Sequence, residues 1–351
     1  MRLLPAMTKF PAPASPSRRH LLASACALPL LAACGATARS STGSPPLKVA
    51  ALFAGNVKDQ GFMEAGWRGL QRAGTELGVQ TRYIDGIAPQ KALLAQALED
   101  LAKDKPDLIV AHGGQNNEAC AEVAERHPGT LFVVTQGAVR GANLASYDVL
   151  QEESAYLAGV LAASTTRTGV VGHMSGIRVV PGLKGRAAYA AGVRATDAKV
   201  RLLTNFSGNQ DDNALSRKVA LAQSQAGADV IFTMLNAGRD GVTQVCREQG
   251  RRQIGNVGDW VARDPQVFVG SAIADVSVGV FQAVRDLQDG RFPTGEIRKI
   301  GLAQRDAVRL TMAQDVSAAV RERIERVAAE IAGGRLHVPT TYDGPEFATP
   351  A

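Results

Sequence analysis

The chain has 351 residues, 45% hydrophobic and 21% charged, with a formal net charge of +6 at pH 7. That length accommodates two domains, each with its own core, and the composition argues against disorder and against a multi-span membrane protein. The positive balance is local: Arg2, Lys9, Arg18 and Arg19 precede Cys34 with no acid among them, and without those four the chain has 35 basic residues against 33 acidic ones. No basic stripe carries interleaved aromatics, so nucleic acid is not an expected partner.

In chain order, "SRRHLLASACALPLLAACG" comes first. It pairs a basic start (Arg18, Arg19) with an apolar run from Leu21 to Leu31 and small residues before Cys34. The run is shorter than the roughly 20 residues a membrane span requires, so residues 1–33 read as a secretory signal. "LAAC" at 31–34 resembles a bacterial lipobox and predicts lipidation of Cys34, with a plain cleaved signal peptide as the alternative. The paired arginines also resemble a twin-arginine signal. Residues 34–47, rich in Ser and ending in Pro, have the composition of a flexible tether. The expected location is the cell envelope, lipid-anchored on the periplasmic side, with no other membrane attachment.

From Lys48 onward, short β-branched runs alternate with helix-length amphipathic stretches. "KVAALF", "VQTRYI", "DLIVA" and "TLFVVT" precede or follow predicted helices near 61–77, 90–103 and 116–126. "ANLASYDVLQEESAYLAGVLAASTT" then interposes an extended piece and a long helix. The rhythm resumes with "GVVGHM", "VRLLTNF", "DVIFTML" and "QIGNVG", each expected to lead into a helix. Such alternation predicts parallel sheets covered on both faces. The midway interruption favours two doubly wound α/β lobes over one closed barrel. A further strand–helix–strand passage runs from "QVFVG" to "IRKIGL", and a last helix ends at Gly333-Gly334, a stop signal. The expected lobes are 48–149 plus 271–300, and 150–270 plus 301–340.

Cys120 and Cys246, 126 positions apart, both fall in helix-like stretches, where a lone cysteine is usually a small buried hydrophobe. The five histidines lack metal-ligand spacing. No G-x-S-x-G elbow, HExxH run or P-loop is present, so neither an enzyme nor a cofactor is expected.

"KDQGFMEAGWRGL", "QEESAYLAGVLAA", "GADVIF", "GDW" and "IAGGRLHVP", in that order and spacing, resemble the basic membrane protein family: substrate-binding lipoproteins of ABC importers, of the purine-nucleoside-receptor type. The resemblance covers Lys48 to about Pro339. It implies a type I periplasmic-binding-protein fold with a multi-strand hinge, a purine in the inter-lobe cleft, and importer permease and ATPase subunits as partners of a monomer.

Strand ends are where doubly wound folds bind ligands, and candidates cluster there. The resemblance implies that Phe62 stacks on a heterocycle and that Asp59 accepts hydrogen bonds from it; the alternative for Phe62 is a staple under the following helix. Gln115 and Asn116 follow the third strand and offer amides, or cap the next helix. Phe206 and Gln210 end a strand in the second half. A second aromatic common in the family near Gln210 is missing, so Phe206 or Trp260 is expected to replace it. Asn236 and Asp259 end two more strands, Asp259 being either a ligand-gripping acid or a turn residue. Glu153 matches a family acid at the crossing and is read as structural. Family members that bind nucleosides commonly carry a lysine near Ala274 that helps hold the ribose; its absence favours a free purine base. A flavin, sugar or amino acid is the alternative ligand, and an exported enzyme acting on nucleosides the alternative class.

Overall fold

The computed structural model describes residues 45–348. The expected signal peptide, Cys34 and nearly all of the tether lie outside the described residues. Two six-stranded sheets organise the rest. The first contains β1 (Lys48–Phe53), β2 (Gln80–Ile84), β3 (Leu108–His112), β4 (Leu131–Thr135), β5 (Leu144–Val149) and β11 (Ile297–Ile300), in spatial order β11-β5-β4-β3-β1-β2. Every pairing in it is parallel. Helices α1 (Phe62–Leu77), α2 (Lys91–Ala102), α3 (Asn117–Arg126) and α8 (Ser277–Gln288) cover it. With both faces covered, β3 is buried at all five positions, which is why it is a continuous apolar run rather than an alternating one.

The second sheet repeats the plan with β6 (Val170–Ser175), β7 (Arg201–Phe206), β8 (Val230–Met234), β9 (Arg252–Asn256), β10 (Phe268–Ala274) and β12 (Val308–Met312), ordered β12-β10-β9-β8-β6-β7. Its helices are α4 (Gln151–Thr165), α5 (Val180–Thr196), α6 (Asn213–Gln225), α7 (Arg239–Glu248) and α9 (Ala318–Ala332). Only β12 runs antiparallel to its neighbour, β10. Both sheets therefore carry the 2-1-3-4-5 order of a doubly wound fold.

Two expectations need correction. Phe268–Ala274 pairs with β9 and β12, so the chain returns to the first lobe after Ala274, not at residue 271. No helix follows β9; the chain makes a turn around Trp260 and enters β10 directly, because Asp259 and Ser271 bind that turn as described below.

Three segments cross between lobes: β5 into α4, β10 into α8, and β11 into β12. Glu153 fastens the first to the third, its carboxylate accepting from the Leu302 N–H at 2.6 Å. Immediately beyond, α4 and α5 lie backbone to backbone. A Cβ on Gly159 would meet the Tyr189 carbonyl at 2.2 Å, and one on Gly192 would meet the Tyr156 carbonyl at 2.2 Å. Glycine at both positions is what permits the approach.

Candidate functional site

In a 2-1-3-4-5 sheet the strand order reverses between the first and third strands, leaving a crevice at their carboxyl ends. Here two such crevices face each other and enclose a cavity of about 380 Å³, within the range of small-molecule sites. The first lobe contributes the segment after β1 (Ala54 to Met63) and Gly114-Gln115 after β3; the second contributes Ile177 to Leu183 after β6, Gln210-Asp211 after β7, and Met234 and Asn236 after β8. Gln151, at the crossing, lines it as well.

Phe62 is the first residue of α1 and remains half-buried. Its ring stacks on His112, centroids 4.3 Å apart and planes 26° apart. His112 is fixed from two sides: Nε2–H donates to the Phe62 carbonyl at 3.0 Å, so Nδ1 accepts from the Thr135 hydroxyl at 2.7 Å. Gly66 makes room for the imidazole, since a Cβ there would lie 2.5 Å from Nε2. Burial holds the His112 pKa down at about 4, so the ring is neutral at pH 7. The outcome is a propped aromatic plate whose other side belongs to the cavity lining.

Asp59 lines the cavity too, but its carboxylate caps α1. Oδ1 accepts from the N–H groups of Gly61 (2.8 Å) and Glu64 (3.1 Å), and Oδ2 from that of Met63 (3.0 Å). Burial raises its pKa and these backbone bonds oppose the rise. The acid thus completes the helix start that presents Phe62.

The first α1 donor, the Phe62 N–H, crosses to the other lobe and meets Asn236 Oδ1 at 3.2 Å. Gly61 sits so close that a Cβ would fall 2.5 Å from the same oxygen. Gln115 and Gln210 complete the amide set, and the Gln210 Oε1 is buried without a partner. Gln151 is 5% exposed, and its Nε2 is also buried and unpaired.

Four expected residues lie elsewhere. Asn116 is fully buried beneath the β3 end, Nδ2 donating to the His112 and Gly113 carbonyls at 2.9 and 3.0 Å. Phe206 lies under two guanidinium groups, those of Arg178 (4.6 Å) and Arg186 (4.7 Å), and is not part of the lining. Asp259 accepts from Thr311 (2.9 Å), Ser271 (3.3 Å) and the Ala262 N–H (3.2 Å), so it binds a turn. Trp260 is buried over Gly255, its Nε1–H donating to the Asn256 carbonyl at 2.9 Å, with Arg239 stacked on it at 3.9 Å. Among the described residues lining the cavity, Phe62 is the one aromatic; the second lobe contributes the largely aliphatic stretch Ile177 to Leu183.

That stretch, with Asn56, Gln151 and Asp211, escaped the sequence reading. "SGIRVVPGL" ends the first strand of the second series just as "FAGNVKDQGF" ends that of the first, and applying the strand-end rule to both would have found it. Among the described residues no group of three or more His, Cys, Asp or Glu is placed to hold a metal.

Residues 47–341 match the Bmp family, described as ABC transporter substrate-binding protein PnrA-like. The chain belongs to the Bmp family. It is therefore an ABC transporter substrate-binding protein, of a class that binds small molecules and works with permease and ATPase components. Similar Bmp-related sequences include the ABC transporter nucleoside-binding protein BmpA of Lactococcus lactis subsp. cremoris, 24% identical over 82% of this chain and 87% of that one. An uncharacterised lipoprotein of Pyrococcus abyssi is 27% identical over 76% of this chain and 70% of that one. Among solved structures, an ABC transporter solute-binding protein of Aeropyrum pernix K1 superposes with a TM-score of 0.75 at 23% identity, covering 85% of this chain and 95% of that one. The fold is thus that of the two-lobed solute-binding proteins.

Proposed function

We propose that this Bmp-family protein captures a purine in the inter-lobe cavity for delivery to an ABC importer, as a monomer anchored to the envelope through a lipid on Cys34. The observation that carries the reading is the Phe62 plate, held by His112 at 4.3 Å, with amide groups of Gln115, Gln151, Gln210 and Asn236 around the same cavity. A flat heterocycle gains about 1–3 kcal/mol from such stacking, and its edge donors and acceptors match carboxamides, which offer both.

A free base such as hypoxanthine, xanthine or urate is favoured over a nucleoside. Ala274 is buried and offers no donor to a ribose hydroxyl, and a site discriminates strongly only where its polar groups pair with such hydroxyls. The name of the Lactococcus relative supports the second reading, a nucleoside. Calorimetry on residues 45–351 with hypoxanthine against inosine separates them. Tighter binding of hypoxanthine is expected. Tighter inosine establishes the second reading, and binding of a sugar with neither purine overturns both.

A further inference from the structure

Residues 342–347 lie past the Bmp match, which ends at 341, yet they are built into the second lobe. The Phe347 N–H donates to the Thr204 carbonyl at 2.9 Å, and Asn205 Nδ2 donates to the Phe347 carbonyl. Both partners are on β7, the edge strand, so the segment covers one backbone carbonyl, that of Thr204, which an edge leaves open, and ties down the Asn205 side chain. The Phe347 side chain packs against the cluster containing Met174 and Leu203.

Glu346 then bridges two cations, Arg178 of the cavity lining and Arg186 further along α5. Its Oε2 accepts from Arg178 at 2.6 Å and its Oε1 from Arg186 at 2.5 Å. Among the described residues neither arginine has another ion-pair partner. The Arg186 side chain is 9% exposed and lies between the rings of Phe206 (4.7 Å) and Tyr342 (4.8 Å). Arg178 stands in the Ile177 to Leu183 stretch, the largely aliphatic part of the wall of the cavity that Phe62 also lines. A nearly buried cation lacking a counter-ion is costly, so removing Glu346 must displace Arg186; Arg178, with its side chain 55% exposed, loses only a surface tether to the same carboxylate. Arg186 follows Leu183 by one turn of α5, whose first turn belongs to the wall, so its displacement carries the wall with it.

We propose that Tyr342–Phe347 is a strap that holds the Ile177–Leu183 wall in its binding position, with Glu346 as the positioning residue. The strap acts on whatever ligand occupies the cavity and does not depend on that ligand being a purine.

The test has a ligand-free arm and a binding arm, both on residues 45–351. In hydrogen exchange without ligand, Glu346→Gln and a variant lacking residues 342–351 should exchange at least about 10-fold faster over 177–186, while α1 is unchanged. Glu346→Asp should restore much of the protection, which a mere loss of tail packing would not allow. Unchanged exchange at 177–186 overturns the proposal whether or not any purine binds. With hypoxanthine as the probe, Glu346→Gln should weaken binding about 5- to 20-fold, chiefly through faster dissociation, as affinity changes within one site usually are. In an Arg186→Met background the same change should add less than about 2-fold, because non-additivity marks residues acting through each other. Full additivity overturns the role of Arg186. If the unaltered protein ignores hypoxanthine, the purine reading falls and the exchange arm still decides the strap.

Discussion

The backbone N–H of Phe62 donates to Oδ1 of Asn236, 3.2 Å away and 174 residues later in the chain. The residue that presents the stacking surface is thus also a point where the lobes touch. A ligand stacked on Phe62 would act on the same helix start that holds this contact, which would tie affinity to the closed population. Gly61→Ala is expected to put a methyl group 2.5 Å from that oxygen and hold the lobes apart. Small-angle scattering should report a more open particle and calorimetry a loss of at least about 10-fold in affinity. Wild-type affinity in Gly61→Ala would mean that the contact does not gate closure.

Phe62→Ala should weaken purine binding by about 1–3 kcal/mol, roughly 5- to 150-fold, by analogy with base–aromatic stacking. The ring is half-buried and its His112 partner is anchored independently through Thr135, so thermal stability should fall little. A large drop in melting temperature with affinity intact would make the ring a packing residue only.

Gln151 supplies a sharper separation of stability from function. Its Nε2 is buried without a partner, a penalty of about 1–3 kcal/mol in the empty protein. Gln151→Leu should leave ligand-free stability unchanged or higher, measured by urea unfolding, and cost at least about 10-fold in ligand affinity. A destabilised variant with normal affinity would rule out a ligand contact.

Two buried histidines contribute to the response to acid. His112 and His173 have pKa values held down at about 4 and about 3 from the ordinary 6.5, mainly by burial. Below pH 6.5 the unfolded chain takes up protons that the folded one refuses. The stability they contribute is complete above pH 6.5 and is lost as pH falls toward 4 and below. Each histidine adds about 1.4 kcal/mol per pH unit to that slope. Urea unfolding between pH 7 and 5 should therefore show a shallower dependence in His173→Gln than in the unaltered protein. An identical slope would place His173 outside the linkage.

Cys34→Ser should release the protein from the membrane fraction if the lipid on that sulfur is the sole anchor. Fractionation of expressing cells reads this out, and persistent membrane attachment would require another anchor.

The period of the chain made the fold legible. Strand runs such as "DLIVA" and "DVIFTM" are apolar throughout because both sheet faces are covered, and that pattern forces a parallel arrangement. The strand-end rule likewise pointed to Phe62, Gln115, Gln210 and Asn236, which line the cavity. It failed where a strand end is consumed by local needs that composition does not announce. Asp259 was expected to reach into the cleft, yet Thr311 and Ser271, from strands distant in sequence, occupy its oxygen. Asn116 and Trp260 are likewise spent on neighbouring carbonyls. The role of His112 was invisible because nothing in "LIVAHGG" signals that Gly66, on a helix 46 positions earlier, leaves a hole for its ring.

The glycine pair at 159 and 192 has a mechanical meaning for transport. With no side chain between the α4 and α5 backbones at these two positions, the crossing point has nothing soft to absorb displacement. Pressure on the first turn of α5, which lines the cavity, is passed to α4, and α4 starts at the first crossing segment. Occupancy would then tilt α4 and α5 together instead of being dissipated as local rearrangement, and a transporter docking on the outer surface would sense one stiff body.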